Sequence, residues 1–169
     1  MGPDTLRELY VDGLKDLWSA ENQLLKALPR MAKAATHPAL KRAFLKHEKQ
    51  TQQHVKRIER ICKQLDESPR GKKCVGMEGL IEEGNDLMKE GADPDVLDAG
   101  LIAASQHVEH YEMAGYGTCR TWARLLGLND QAELLQTTLD EEQQTDLDLT
   151  ALAESAVNIE AVDPEEDED

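Results

Sequence analysis

The apolar residues of this chain recur at intervals of three and four, the spacing of helices that bury one face. The Asp-Thr pair at positions 4 and 5 can cap a first helix through LRELYVDGLKDLWSAENQLLKAL, in which Pro29 predicts a kink or an end near residues 25–28. A second helix starts at HPAL, where Pro38 needs no backbone donor, and continues to about Leu65.

The second half of the chain continues this helical pattern. DESPRGKK predicts a loop, and VGMEGLIEEGNDLMKE predicts a shorter helix behind it. A third long helix starts near Asp95 and ends near Leu126, where the next residue is a glycine suited to a C-terminal cap. Asn129 or Asp130 can cap the last long helix, which runs to about Ala156. With no strand pattern, the sequence predicts an all-α antiparallel four-helix bundle with a short extra helix in its middle connection.

The composition supports one helical domain with an acidic extension. Of the 169 residues, 40 % are hydrophobic and only 4 % aromatic, and strong helix formers such as Leu, Ala and Glu are common. A sheet protein would contain more aromatic and β-branched residues. We assign residues 1–158 to the bundle and residues 159–169, which end in a run of like charges, to an acidic disordered tail.

The charge argues against two classes of partner. A formal net charge of −15 is unsuited to nucleic acid or to an anionic membrane surface, because both attract clustered Lys and Arg. The same charge is compatible with attraction of cations. Three widely spaced cysteines without a C-x-x-C pair, an N-terminal segment without a secretion signal, and the lack of a long apolar run predict a soluble cytoplasmic protein with reduced thiols.

Ionisable residues interrupt the apolar stripe in the middle of each predicted long helix. On the second helix, two histidines one heptad apart occupy stripe positions that a bundle normally fills with Leu or Ile. Because an unpaired buried charge is costly, we expect these residues to neutralise one another or to share a positive ion. The residues in question are Glu21, His47, His54, Glu112 and Glu142, with Asp146 one turn beyond Glu142.

The residues alone leave two interpretations open. In one, charged imidazoles donate hydrogen bonds to carboxylates in a buried polar network. In the other, two divalent metal ions with a combined charge of about +4 balance the carboxylates, and neutral imidazole is the softer ligand. Among the other polar residues, Glu109 is expected on the flank of the third helix and His110 in solvent. Trp18 and Tyr111 are expected to support packing around the site.

Four segments of the chain closely resemble a known family. DLWSAENQLLKAL, CVGMEGLIEEGNDL, LIAASQHVEHYEMAGYGT and LDEEQQTDLDLTALA are similar to the YciE/YciF-type bacterial stress proteins, ferritin-like chains classed as a domain of unknown function. The resemblance covers about residues 4–158. It implies a ferritin-like bundle that forms a homodimer, is expressed in general or osmotic stress, and builds a dimetal centre as rubrerythrins and ferritins do.

Carried over by position, the resemblance assigns the metal to Glu21, Glu112, Glu142 and Asp146. The second helix departs from the family pattern H-x-x-E-T-x-x-Q, because here it reads HEKQTQQH. The expected carboxylate is therefore Gln50 and the expected amide is His54. His54 lies one turn from Gln50 and can supply an imidazole ligand, with His47 as a further ligand or as a hydrogen-bond partner of a ligand. This departure leads to the hypothesis of a site with one tight and one weak metal position, or with one metal only.

Three functions are compatible with these observations. The first is a redox metalloprotein that uses Fe or Mn to oxidise ferrous ion or to consume peroxide. The second is a non-catalytic dimeric helical stress protein whose polar core holds no functional metal, an interpretation that Gln50 favours. The third is iron storage, which requires assembly into a large shell. The sequence identifies no protein partner.

Overall fold

The protein consists of helices joined by short connections. The computed structural model describes residues 2–162, and this part of the chain contains no strand, so the all-α prediction is confirmed. Helix extends past the predicted boundary at residue 158, and residues 163–169 of the predicted acidic tail lie outside the described residues. The elements are α1 (Leu6–Ala34), α2 (Pro38–Gln64), α3 (Val75–Lys89), α4 (Pro94–Leu125), α5 (Asn129–Leu152), a π-helical turn (Ala153–Val157) and α6 (Asn158–Val162).

Two helical hairpins make the bundle. α1 packs mainly on α2 and α4 mainly on α5, while contacts of α1 with α4 and of α2 with α5 close the ring. The short helix α3 lies against α1 and α4 and so covers part of that face. Among residues 2–162, no helix combines the length and the apolar character that a membrane crossing requires.

The buried apolar residues form two separate clusters along the bundle. One cluster combines the last turns of α1 with the first turns of α2, the first half of α4 and the end of α5. The other combines the first half of α1 with the end of α2, the second half of α4 and the start of α5. On all four long helices, the stripe residues between the clusters are the ionisable ones, so the fold carries a polar layer between two apolar layers.

Pro29 does not end the first helix. The predicted end near residues 25–28 is wrong, because α1 continues through the proline to Ala34. Proline inside a helix removes one backbone hydrogen bond and costs about 3 kcal/mol. Leu28, Met31 and Ala32 around it are all buried in the first apolar cluster, and this packing outweighs the loss.

The turn between α4 and α5 confirms one predicted cap and corrects another. Gly127 has a φ of 75°, which favours glycine, and its backbone N–H donates to the Arg124 carbonyl at 3.0 Å. The next N–H, of Leu128, donates to the Ala123 carbonyl at 2.8 Å. The predicted N-cap at residues 129–130 is wrong, because Leu128 occupies that position without a side-chain bond. The glycine turn closes α4 with these two hydrogen bonds, and α5 begins directly after Leu128.

The start of α1 provides a first test of the fold. Thr5 Oγ1 accepts from the Glu8 N–H at 3.2 Å, and the Glu8 carboxylate accepts from the Thr5 N–H at 3.0 Å. We expect Thr5→Ala to lower the free energy of unfolding, measured in urea, by about 1 kcal/mol. Thr137→Ala is the control, since its exposed hydroxyl bonds only to the carbonyl one turn earlier. An equal loss in both variants would contradict the role of the cap.

Candidate metal centre

Six ionisable side chains from the four long helices meet in the polar layer between the two apolar clusters. Each of them is at most 2 % exposed to solvent. Helical periodicity explains the convergence, because residues three, four and seven positions apart project from one face of a helix. The six are Glu21 on α1, His47 and His54 on α2, Glu109 and Glu112 on α4, and Glu142 on α5.

The six residues fall into two overlapping groups. In the first, His47, Glu109, Glu112 and Glu142 each offer one oxygen or nitrogen atom, and these atoms lie within 4.8 Å of one another. In the second, Glu21 and His54 meet Glu142 within the same limit. Glu142 is therefore shared, and its two carboxylate oxygens face different histidines. Oε1 lies 2.9 Å from His54 Nδ1, and Oε2 lies 3.6 Å from His47 Nε2.

A carboxylate on the outer side of the bundle orients His54. His54 Nε2 lies 2.8 Å from Glu141 Oε2, and Arg57 holds the same carboxylate with two N–H groups at 2.7 and 3.0 Å. Because Glu141 is an acceptor only, Nε2 carries a proton and Nδ1 faces inward, 3.3 Å from Glu21 Oε1. This is the arrangement by which metalloproteins orient a ligating histidine and raise its basicity.

A threonine plays the corresponding part for His47. Thr145 Oγ1 donates its only proton to the Glu141 carbonyl at 3.0 Å, so it can only accept from His47 Nδ1, which lies 3.4 Å away. With the proton on Nδ1, the lone pair of Nε2 points toward Glu109 Oε1 at 3.1 Å. Both histidines therefore present a bare ring nitrogen to the interior when they are neutral.

Burial and mutual repulsion control the protonation of the centre. Burial raises the pKa of Glu112 well above its usual value, and the charges of Glu142 and Glu21 raise it further. Burial also raises the pKa values of Glu109 and Glu142. For His54, burial opposes the charged form, but attraction by Glu21, the hydrogen bond with Glu141 and the close Glu142 carboxylate outweigh it and raise the pKa to about 12. Without metal, the centre therefore holds protons that a bound cation must displace.

Unpaired polar atoms test whether the centre suits a metal. Most of its buried oxygens, together with His47 Nε2 and His54 Nδ1, have no hydrogen-bond partner within the described part of the chain, although several lie 2.9–3.6 Å apart. Donors and acceptors of a settled network would point at one another. Here the lone pairs of separate side chains face shared spaces instead. Carboxylate oxygen with imidazole nitrogen is also the donor set of di-iron and di-manganese bundles, so the residues fit such ions.

Two residues that the sequence assigned to the metal lie outside both groups. Asp146 is half-buried beside α4, where Gln106 Nε2 donates to it at 3.1 Å and His110 Nε2 lies 3.3 Å away. His110 itself is exposed, as expected from its position. Gln50 lies near His47 with its Oε1 buried and unpartnered among the described residues, but it belongs to neither group.

Glu109 and Tyr116 are the residues that sequence reasoning missed. Glu109 was expected on the flank of its helix, yet it is fully buried and belongs to the first group. The Tyr116 hydroxyl donates to Glu21, and its ring centroid lies 6.2 Å from that of His54. Spacing could have found both, because the two residues lie three before and four after Glu112, on the same face of α4.

Comparisons with known proteins agree with this architecture. A family described as a domain of unknown function (DUF892) matches residues 5–162. Protein YciF of Escherichia coli (strain K12) is 42 % identical over 159 residues, which are 94 % of this chain and 96 % of the relative. The crystal structure of the E. coli stress protein YciF superposes with a TM-score of 0.89, at 42 % identity, over 92 % of this chain and 99 % of that one. A Rhodopseudomonas palustris protein described as YcfI, a putative structural protein, superposes with a TM-score of 0.84, at 39 % identity, over 87 % and 94 % of the two chains.

Proposed function

This chain belongs to the DUF892 family, and from that premise we propose that it is a stress-response protein with a dinuclear Fe or Mn centre between its four long helices. We propose further that it works as a homodimer in the cytoplasm. The family includes a relative described as a stress protein, and the buried carboxylates and histidines supply a donor set that suits these metals.

One observation carries the proposal. Glu142 is common to both groups of potential ligands and turns one oxygen toward each histidine. If a pair of metal ions were bound, Glu142 would be available as a ligand to both positions, as a carboxylate that projects into the core of a ferritin-like bundle. In a settled hydrogen-bonded network each oxygen of a shared carboxylate would have a donor, whereas Glu142 Oε2 has none among the described residues.

The protein's own residues divide the work at this centre. His47 and three glutamates form the richer group, while Glu21 and His54 complete a second group with Glu142. Glu141 and Thr145 orient the two imidazoles, and the two apolar clusters keep bulk water from the ligands. When bound, a pair of Fe or Mn ions supplies the one-electron chemistry needed to oxidise ferrous ion or to consume peroxide.

Metal stoichiometry tests the proposal directly. We expect anaerobic reconstitution with Mn(II) to load about two ions per chain at saturation, as in other carboxylate bundles of this class. Glu21→Gln is expected to retain about one ion, because it leaves the group around His47 intact. Glu142→Gln changes a residue of both groups, so it is expected to bind less metal than the unaltered protein and less than Glu21→Gln. The measurement is metal content by mass spectrometry after gel filtration, with Fe(II) as a second metal.

The controls separate folding from binding and assembly. Glu133→Gln changes an exposed carboxylate on the same helix as Glu142 and is expected to load like the unaltered protein. Circular dichroism shows whether each variant keeps its helices. Metal well below one ion per chain in the unaltered protein would end the proposal, and the same gel filtration distinguishes a homodimer from the large shell that iron storage requires.

A second candidate function is a non-catalytic helical stress protein without a functional metal. Gln50 favours it, because a neutral amide occupies the position where the resemblance implies a carboxylate, and a similar structure is described as a putative structural protein. Thermal unfolding discriminates between the candidates, because a ligand that binds only the folded state must raise its stability. A melting temperature unchanged by Fe(II), Mn(II) or a chelator would favour this second function.

A further inference from the structure

A small cavity lies beside His47, between α2, α4 and α5. Its volume is about 20 Å³. A buried water needs roughly 10–15 Å³ of such space, so the cavity can hold a molecule of one or two heavy atoms. The surface grooves of about 470, 490 and 650 Å³ are lined by none of the six residues of the centre.

Two acceptor atoms in the cavity wall can each take a further hydrogen bond. Gln50 Oε1 is buried without a hydrogen-bond partner among residues 2–162. Thr145 Oγ1 also lines the cavity, and it has already given its only proton to the Glu141 carbonyl. Ser105 adds a buried hydroxyl from α4. A guest that donates hydrogen bonds therefore satisfies this wall, whereas one without donors leaves the buried amide oxygen unpaired.

The cavity reaches the centre, because His47 lines it and belongs to the first ligand group. The apolar clusters close the bundle on two sides, and the double hydrogen bond from Arg57 to Glu141 closes the His54 side. The cavity lies on the His47 side instead. Its outer wall includes the ion pair of Lys46 with Asp148, at 3.3 Å and with side chains 62 % and 48 % exposed. Such an exposed pair adds little stability, so it opens readily.

We propose that this cavity is the binding place and access route of hydrogen peroxide at the metal centre, an inference that rests on the proposed function. Peroxide has two heavy atoms and two O–H donors, which match the volume and the acceptors of the wall. Dioxygen has a similar size but no donor. His47 lines the cavity and is itself a candidate ligand of the first group, so a molecule held there lies next to the proposed metal position.

Blocking the cavity tests the access route. Ala43→Leu places a larger side chain in the cavity lining, and Ala114→Leu makes the same change in the groove between α1 and α4. With Fe(II) loaded and metal content measured first, we expect nitric oxide, a neutral diatomic probe, to bind at least about tenfold more slowly to Ala43→Leu than to Ala114→Leu. Equal rates in two fully loaded variants would overturn this inference and leave the proposed function standing. If the unaltered protein binds no iron, that result would contradict the proposed function and therefore this inference as well.

The preference for peroxide is tested by removing the acceptor. Gln50→Leu is expected to raise the peroxide concentration for half-maximal oxidation of the Fe(II) centre about fivefold, because it removes one hydrogen bond to peroxide. The rate of nitric oxide binding is expected to stay unchanged. An unchanged peroxide dependence with a changed dioxygen dependence would assign the cavity to dioxygen and overturn the proposal. A crystal structure of the metal-free protein gives a readout without turnover. We expect one ordered water bonded to Gln50 Oε1, and a dry cavity would contradict the polar role of its wall.

Discussion

Replacing His54 with leucine is expected to lower the free energy of unfolding of the metal-free protein by about 3–5 kcal/mol, the cost of removing one partner from a buried charged pair. The imidazole is fully buried and faces carboxylates on both sides, Glu21 and Glu142 on one and Glu141 on the other. Its pKa, raised to about 12, keeps it charged at neutral pH. Leucine has a similar size but leaves these carboxylates without their nearest buried cation.

Urea unfolding in the presence of a chelator measures this effect. His110→Leu is the matched control, because the same substitution on an exposed residue of α4 is expected to change stability by less than about 0.5 kcal/mol. If His54→Leu costs no more than the control, then protons on the carboxylates, and not the imidazolium, neutralise the metal-free centre.

Heptad spacing predicted those residues of the centre that lie on the seven-residue repeat itself. Glu21, His54, Glu112 and Glu142 lie on strict stripes between apolar residues, and the structure brings all four together in one buried layer. Glu109 lies off the strict stripe, but a helix buries a face wide enough to include residues three positions away. A seven-residue count underestimates that width, and for that reason it left Glu109 on the flank.

Where the spacing within one helix did not fix the direction of a side chain, hydrogen-bond donors on a neighbouring helix did. Asp146 lies one turn from Glu142, yet it turns toward α4, where Gln106 and His110 provide donors. No pattern within α5 contains that information, because the choice depends on side chains about forty residues away. The same holds for the backbone at Pro29: local propensity predicted a kink or an end, and the helix does not end there because its neighbours are buried in the apolar cluster.

The polar layer reverses the usual relation between burial and stability. A hydrophobic residue in a bundle core stabilises it, whereas each carboxylate of the centre is buried with at least one oxygen that lacks a hydrogen-bond donor among the described residues. If metal binding is what these residues serve, the metal-free protein must be less stable than an apolar version of itself. Glu112 is the clearest place to measure this, because both of its oxygens lack a hydrogen-bond partner among the described residues and burial raises its pKa.

Glu112→Leu is therefore expected to stabilise the metal-free protein by about 1–3 kcal/mol, the penalty for burying an unsatisfied polar group. The same change removes one ligand of the first group, so the gain that saturating Mn(II) gives the unaltered protein, about 2.7 kcal/mol at one hundred times the dissociation constant, should shrink or vanish. Urea unfolding with and without Mn(II) measures both effects, with Glu133→Leu on the exposed side of α5 as control. A variant less stable than the unaltered protein without metal would mean that Glu112 is ionised and paired there. If the variant is more stable than the unaltered protein without metal and less stable with saturating Mn(II), then the role of Glu112 is to bind the ion and not to stabilise the fold.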